Sequence, residues 1–150
     1  VSLILCALSF GGVLEKTGML ETIASTILKY AKGTFGLVFA TIFTCIFTNI
    51  VTGDQYLALV MPGRMYKNEY PKRRLAPKNL SRALEDGATV TSPLIPWTTC
   101  GSYMMATLGL NPIAFLPFAF FNLLSPLFSL ILAATGFSMT KIDQNEKTQL

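Results

Sequence analysis

Residues 33–61 form the longest apolar run of the chain, and Asp54 is the one charged residue within it. A helix needs about 20 apolar residues to cross the hydrocarbon core of a bilayer, and this run exceeds that length. Charged residues make up only 13% of the chain, whereas a soluble domain carries about 25%. Because lipid cannot satisfy backbone hydrogen bonds, such runs are expected to be helical. The sequence therefore predicts an all-α integral membrane protein.

Polar side chains recur at helical spacing along this run. At about 100° per residue, one face carries Thr41, Thr44, Thr48, Thr52 and Gln55, with Asn49 at its edge. Lipid offers these groups no partners, so the face is expected to turn toward the protein interior or a wet path. On an unbroken helix Asp54 would lie about a third of a turn away from this face. Gly53, immediately before it, is a candidate for a local break that redirects the carboxylate.

The stretch 85–101 reads EDGATVTSPLIPWTTCG, two carboxylates followed by hydroxyl residues and two prolines. In a helix, Pro93 would leave the carbonyl of Thr89 without its N–H donor. Pro96 would do the same for the carbonyl of Ser92. Free carbonyls beside hydroxyl groups are oxygen ligands for a small hard cation. The alternative interpretation is a kinked helix whose hydroxyl groups bond its own backbone.

Two apolar segments follow the basic part of the chain. Residues 87–110 contain two prolines and two internal glycines, which favour a discontinuous helix or a re-entrant hairpin over a plain helix. Residues 113–137 predict a membrane span kinked at its prolines, in which Asn122 needs a partner inside the bundle.

The N-terminal part is apolar but short. Residues 1–14 cannot cross a bilayer alone, and we interpret them as the end of a helix whose start is missing. Residues 20–32 predict an amphipathic helix packed on the bundle. The expected organisation is one transmembrane half over residues 1–137, truncated at its N-terminus, and a polar tail over residues 138–150.

Seven of the twelve basic residues lie in the loop 64–82. Basic residues concentrate in cytoplasmic loops, so we expect this loop in the cytoplasm. The cluster accounts for the net charge of +4 without a nucleic-acid partner. If 87–110 crosses the bilayer fully, the loop and the tail lie on one side; if it is re-entrant, they lie on opposite sides.

The chain has three cysteines, far apart, and no histidine. The spacing fits neither a zinc site nor a paired disulfide framework, and free buried thiols such as Cys6 are expected. The lack of histidine excludes Ser-His-Asp and Cys-His chemistry. Gly53-Asp54 suggests an intramembrane aspartyl protease, but no second aspartate occurs in an apolar run. We therefore expect neither an enzyme nor a cofactor.

Two segments carry a family resemblance. TNIVTGDQYLALVMPGRMY at 48–66 and NLSRALEDGATVTSPLIPWTTCG at 79–101 resemble the C-terminal part of NhaC-type sodium/proton antiporters, and LSFGGVLEKTGMLE at 8–21 resembles the same family. The chain departs from the family pattern at Gly87-Ala88, where the family commonly has Ser-Gly, and at Thr98, where it often has Asn. The resemblance implies a secondary transporter of two inverted halves with its ion site at broken helices. A chain of this length would hold about one half, and the missing half would complete the site.

Antiport requires one site that holds a proton or a sodium ion but not both, and a carboxylate meets this requirement. Asp54 is the first candidate, and burial favours the protonated form of a carboxyl group. The neutral oxygen ligands expected beside it are Asn49, Thr52, Thr91 and Ser92. Further candidates are Thr48, Thr89, Thr98, Thr99, Glu85 and Asp86. The structural alternatives are an Asp54 paired with a basic residue or with hydroxyls, and acids at 85 and 86 that cap the next helix or pair with Arg82.

The function implied by the resemblance is sodium/proton antiport by a multi-pass protein of the cell membrane, with sodium, protons and lipid as partners. A homo-oligomer is compatible with it. Relatives that exchange sodium or protons for small carboxylates, of the malate or lactate type, make such an exchanger the main alternative. No Lys or Arg lies within the apolar runs, so the missing half or sodium itself would have to meet a substrate carboxylate. A non-transporting membrane scaffold is the remote alternative, if Asp54 is fully paired.

Overall fold

The computed structural model describes residues 33–136 and 139–141, together with Ser9, Val13, residues 16–18, Thr22 and residues 26–27. The predictions for residues 1–14, residues 20–32 and Cys6 therefore fall mostly or wholly outside the described residues, as does the tail after Lys141. Within the described part all regular secondary structure is helical, and one isolated antiparallel bridge joins Leu75 to Lys141. The prediction of an all-α protein is confirmed for this part.

The described helices follow one another with short connections. The α-helices are α1 Gly33–Thr52, α2 Gln55–Tyr66, α3 Glu69–Lys72, α4 Pro77–Leu84, α5 Thr99–Leu108, α6 Pro112–Phe115 and α7 Phe120–Thr135. A π-helical turn, Glu85–Thr89, continues α4, and 3-10 turns cover Ser92–Leu94 and Leu116–Phe118.

The apolar run 33–61 forms two helices rather than one. Gly53 has a φ of +67°, in the left-handed region that suits glycine, and it ends α1. Asp54 is extended and begins α2. The predicted break at Gly53 is therefore confirmed. The helix α2 continues through Pro62 and Gly63 to Tyr66.

The helices α1 and α2 pair as an antiparallel hairpin. The hydroxyl groups of Thr44 and Tyr66 lie 2.9 Å apart, and those of Thr41 and Tyr70 lie 3.1 Å apart. Burial raises the pKa of Tyr70 above its ordinary value, so its hydroxyl group stays protonated in this contact at neutral pH. The later residue of α1, Thr44, contacts the earlier tyrosine, Tyr66, and the earlier residue, Thr41, contacts the later tyrosine, Tyr70. This order is the one that an antiparallel pair requires.

The polar face of α1 points inward, as predicted. The buried polar residues of this helix are Thr41, Thr44, Thr48, Asn49 and Thr52. The opposite face is apolar and exposed, with Phe35, Phe39 and Phe43 stacked along it. Such a distribution suits a helix with protein on one side and lipid or further helices on the other.

The π-helical turn after α4 packs closely on this inward face. A Cβ atom at Gly87 would lie 2.8 Å from the Cβ of Cys45 and 3.1 Å from the Cα of Ile42, so the approach requires glycine. The side-chain amide of Asn49 donates a hydrogen bond to the carbonyl of Ala88 over 2.9 Å. Residues 77–94 thus run alongside α1 and cover its polar face.

The last helix, α7, returns antiparallel to this segment. Asn122 donates to the carbonyl of Val90 over 2.7 Å, which confirms that this asparagine has a partner inside the fold. Ser129, about two helical turns farther on, lies beside Asp86. The segment Pro112–Phe118 is bent by 62° against α7, so the interruption predicted near Pro117 is a break.

The apolar core lies at the end of the fold that carries the basic loop. Its buried residues come from α1, the α2–α3 region, α4 and α7: Leu37, Val38, Ala40, Ile42, Tyr66, Tyr70, Leu75, Leu80, Ala83 and Ala133. The start of the tail joins this end, because Thr140 accepts bonds from the N–H of Ala76 (2.9 Å) and the side chain of Asn79 (2.7 Å).

Membrane-length helices are few within the described residues. There α1 is long and apolar enough to cross a bilayer, and the bent pair Pro112–Phe118 and Phe120–Thr135 passes the same test if it counts as one span. At 1.5 Å per residue the 20 residues of α1 extend over about 30 Å.

Candidate functional site

Two helix breaks meet at one place in the fold. The first is the break between α1 and α2, and the second comprises residues 95–98, which are not helical and precede α5. The backbone N–H of Thr99 donates to the carbonyl of Gly53 over 3.1 Å. The indole N–H of Trp97 donates to the carbonyl of Ile50 over 2.8 Å. We call this meeting point the junction.

The second break is held by one threonine and one glycine. The hydroxyl group of Thr98 accepts the N–H of Gly101 over 3.0 Å and so caps α5. It donates toward the carbonyls of Ser92 (2.8 Å) and Ile95 (2.9 Å). A Cβ atom at Gly101 would lie 1.9 Å from the carbonyl oxygen of Ile95, which excludes any larger residue from this turn.

These contacts correct one expectation about carbonyl ligands. Pro96 supplies no N–H to the carbonyl of Ser92, as predicted, yet that carbonyl is not free. It accepts the N–H of Ile95 over 3.2 Å and the hydroxyl group of Thr98. The hypothesis of a free carbonyl ligand at Ser92 is therefore wrong, because the chain turns back in a 3-10 turn and brings a hydroxyl donor to it.

Asp54 lies at the first break as the N-cap of α2. Its Oδ1 accepts the backbone N–H groups of Tyr56 (2.6 Å) and Leu57 (3.3 Å). The N-terminus of a helix favours a negative charge, since its N–H groups point outward without intrahelical partners. Asp54 is half-buried, so its carboxylate is anchored to α2 but not enclosed.

A cavity of about 410 Å³ opens beside this carboxylate. Its lining residues are Asp54, Gln55, Tyr56, Leu59, Glu85, Thr89 and Thr99. Four of them were predicted site residues, two acids and two threonines, and they come from α2, the π-helical turn and α5. The junction thus brings together, around one space, carboxylate and hydroxyl groups that lie up to 45 residues apart in the sequence. Carboxylate and hydroxyl oxygens are suitable ligands for a hard cation.

The other predicted ligands lie deeper. Thr48, Asn49, Thr52, Thr91, Ser92 and Thr98 are buried. Thr52 donates its hydroxyl hydrogen to the carbonyl of Thr48 over 2.8 Å, and Thr91 donates to Gly87 over 2.6 Å. For these hydroxyl groups the alternative interpretation, bonding to their own backbone, describes the structure.

Asn49 and Ser92 differ from these threonines. The Oδ1 atom of Asn49 and the Oγ atom of Ser92 are buried and have no hydrogen-bond partner within the described structure. Both residues are 0% exposed.

Asp86 points away from the cavity. Its Oδ1 accepts the hydroxyl group of Ser125 over 2.5 Å, and its Oδ2 accepts that of Ser129. Of the two adjacent acids, Glu85 lines the cavity and Asp86 bonds to α7, so they do not share one role. The two serines were missed from the sequence; their spacing of four residues in an apolar helix is the signal that could have indicated them.

The structure thus combines interrupted helices, a cavity lined by two acids and an inward polar face. The chain belongs to the Na+/H+ antiporter family, whose model matches residues 1–137. It is 39% identical over 94% of its length to the Na(+)/H(+) antiporter NhaC of Alkalihalophilus pseudofirmus, and 40% identical over 88% to NhaC of Bacillus subtilis. It is 32% identical over 89% to the malate-2H(+)/Na(+)-lactate antiporter of Bacillus subtilis.

The chain spans only part of these relatives. It covers 30% of the first protein, 29% of the second and 28% of the third. No solved structure matches the chain.

Proposed function

We propose that this chain is part of a sodium/proton antiporter, a multi-pass protein of the cell membrane, in which Asp54 binds a proton or a sodium ion alternately. The observation that carries the proposal is the cavity at the junction, where Asp54 and Glu85 face the same space with the hydroxyl residues Thr89 and Thr99. Because the chain covers about 30% of its relatives, further helices of the same protein complete the site, in the manner of inverted repeats.

The arrangement of Asp54 suits alternate occupancy. The two N–H groups of α2 hold Oδ1 in place without a countercharge, so the ionised group keeps its attraction for a cation. Protonation removes that charge and releases the ion. The second acid, Glu85, adds negative potential to the cavity and raises the local concentration of cations. The proposed cycle makes and breaks no covalent bond other than the O–H bond of the acid.

The decisive test is Asp54→Asn in the full-length transporter. We expect sodium-driven proton flux in membrane vesicles to be abolished, because asparagine neither ionises nor releases a proton. Folding should be retained, since asparagine is as good an N-cap as aspartate. Asp54→Glu should keep partial flux with a shifted pH profile. Glu69→Gln, which removes an acid paired with Lys72 outside the cavity, is the matched control with normal flux. Undiminished flux in Asp54→Asn would refute the assignment.

A carboxylate exchanger is the second candidate, favoured by the similarity to the malate-2H(+)/Na(+)-lactate antiporter. The cavity lining contains two acids and no Lys or Arg, so a substrate carboxylate would be repelled unless a cation accompanied it. Uptake of radiolabelled malate or lactate in the same vesicles separates the candidates. Sodium-dependent uptake would establish the exchanger. Proton flux on sodium addition without any carboxylate supports antiport, and no flux of either kind would favour a scaffold.

A further inference from the structure

The strongest unexplained feature of the junction is a pair of buried oxygens without partners. They are Oδ1 of Asn49 and Oγ of Ser92, on two residues that are 0% exposed. Burial without a hydrogen bond costs free energy, and buried polar atoms in native proteins are therefore almost always paired. One atom lies on α1 and the other on the 3-10 turn that leads into the second break, and each needs a partner.

The orientation of Asn49 is fixed by chemistry. One end of its amide faces the carbonyl of Ala88 at 2.9 Å, and only the NH₂ end can donate there. The opposite end is therefore the carbonyl oxygen, which points away from Ala88. The unpartnered atom is an acceptor with two lone pairs, a suitable ligand for a cation.

The position of Ser92 is fixed by its backbone. Its carbonyl accepts the N–H of Ile95 and the hydroxyl group of Thr98, and these bonds hold the backbone of the residue in place. Trp97 and Thr99 bond the end of α1 at Ile50 and Gly53, beside Asn49 in the chain. The two unpartnered residues thus belong to the two segments of the chain that meet at the junction.

We propose that Asn49 and Ser92 form a buried sodium subsite within the junction, separate from the cavity at Asp54. Sodium as the ligand rests on the proposed function; the need for an oxygen-seeking ligand does not. Amide and hydroxyl oxygens are hard ligands that suit a dehydrated alkali cation and discriminate against soft transition metals. Neither group ionises, so a proton cannot replace sodium there. Competition between the two ions is then confined to Asp54.

Neighbouring threonines can complete the ligand set. Thr52 and Thr91 give their hydroxyl hydrogens to backbone carbonyls. A hydroxyl oxygen that has donated its hydrogen still has lone pairs for a cation. The subsite therefore explains why several buried hydroxyl groups accumulate on the face of the junction where two helices break.

The test uses sodium-induced thermal stabilisation of the purified full-length transporter, with choline chloride holding the ionic strength constant. In Ser92→Ala the lost hydroxyl group makes no hydrogen bond, so the melting temperature without sodium should stay equal or rise. The sodium concentration for half-maximal stabilisation should rise by about tenfold or more, the change expected when one direct ligand is lost. Ser92→Cys keeps the side-chain size and replaces a hard oxygen with a soft sulfur. It should raise the sodium concentration for half-maximal stabilisation in the same way, and it serves as the test if the alanine variant does not fold.

The matched control is Ser102→Ala, whose hydroxyl group lies near the same break and donates to the carbonyl of Pro96 over 3.2 Å. It should leave the sodium dependence unchanged. Asp54→Asn should lose antiport but keep stabilisation by sodium, which separates the failure of this inference from the failure of the proposed function. Unchanged sodium dependence in both Ser92 variants would overturn the subsite and assign the two oxygens to a buried water molecule.

Discussion

Asp54 and Asp86 are carboxylates at interruptions of helical structure, and their surroundings are opposite. Asp54 is bonded at one oxygen by the N–H groups of its own helix and opens onto a cavity. Asp86 is bonded at both oxygens by serine hydroxyl groups of α7. The difference teaches that the role of an acid in this fold depends on what packs beside it, because an exchangeable ion needs an open coordination position.

The same contrast extends along α1. At the end near the basic loop, the hydroxyl groups of Thr41 and Thr44 are each hydrogen-bonded to a tyrosine of the returning chain. At the junction, Asn49 keeps an oxygen without a partner. One polar face therefore has a closed end, whose hydroxyl groups are paired, and an open end, where the proposed ligands lie.

The largest expected effect concerns the side of the bilayer on which the closed end lies, because a position is labelled either from one side or from the other. The closed end includes the contact of Thr140 with Ala76, so the basic loop and the start of the tail should lie on one side of the bilayer. In a cysteine-free background, cysteines placed at Asn68 and at Lys141 should both be labelled in inside-out vesicles and protected in intact cells. Labelling of the two positions from opposite sides would contradict this placement of the closed end and favour a re-entrant segment over residues 87–110.

A second prediction tests whether the bonds of Asp86 are structural. Ser125→Ala combined with Ser129→Ala leaves a half-buried carboxylate without its two donors. Since hydrogen bonds to charged groups contribute about 1.5–3 kcal/mol each, the loss of two should lower the free energy of unfolding by roughly 3–6 kcal/mol. Antiport per folded molecule should remain, unlike in Asp54→Asn.

The measurement for the serine variants is a detergent-solubilised melting curve beside vesicle flux. Thr107→Ala, which removes an exposed hydroxyl group bonded within α5, serves as the control with little effect on either. Loss of flux at unchanged stability would move Asp86 into the ion path and end the contrast with Asp54.

Local sequence patterns predicted much of the open end. Helical periodicity indicated the inward face of α1, and the cost of a polar group in lipid indicated a partner for Asn122. Gly53 indicated the break, because glycine readily takes a positive φ. These predictions succeed because each depends on a few residues close in the sequence.

Contacts that join distant segments were less accessible from the sequence. The serine donors to Asp86 lie 39 and 43 residues away along the chain. The carbonyl of Ser92 was expected to be free because the pattern shows the missing donor at Pro96 but not the hydroxyl group of Thr98 that replaces it.

The smallest expected effect lies at Thr44 and Tyr66. Thr44→Val keeps the shape of the side chain but leaves the hydroxyl group of Tyr66 with only the carbonyl of Ala40 at 3.5 Å. A buried donor that loses its main partner costs about 1 kcal/mol of stability, and adding Tyr66→Phe should recover part of it because both polar groups are then gone. A double-mutant cycle on melting curves measures this coupling. Sodium affinity should be unchanged in all three variants, because the pair belongs to the closed end. A lower sodium affinity in Thr44→Val would contradict this, since it would place Thr44 with Asn49 in the open end of α1.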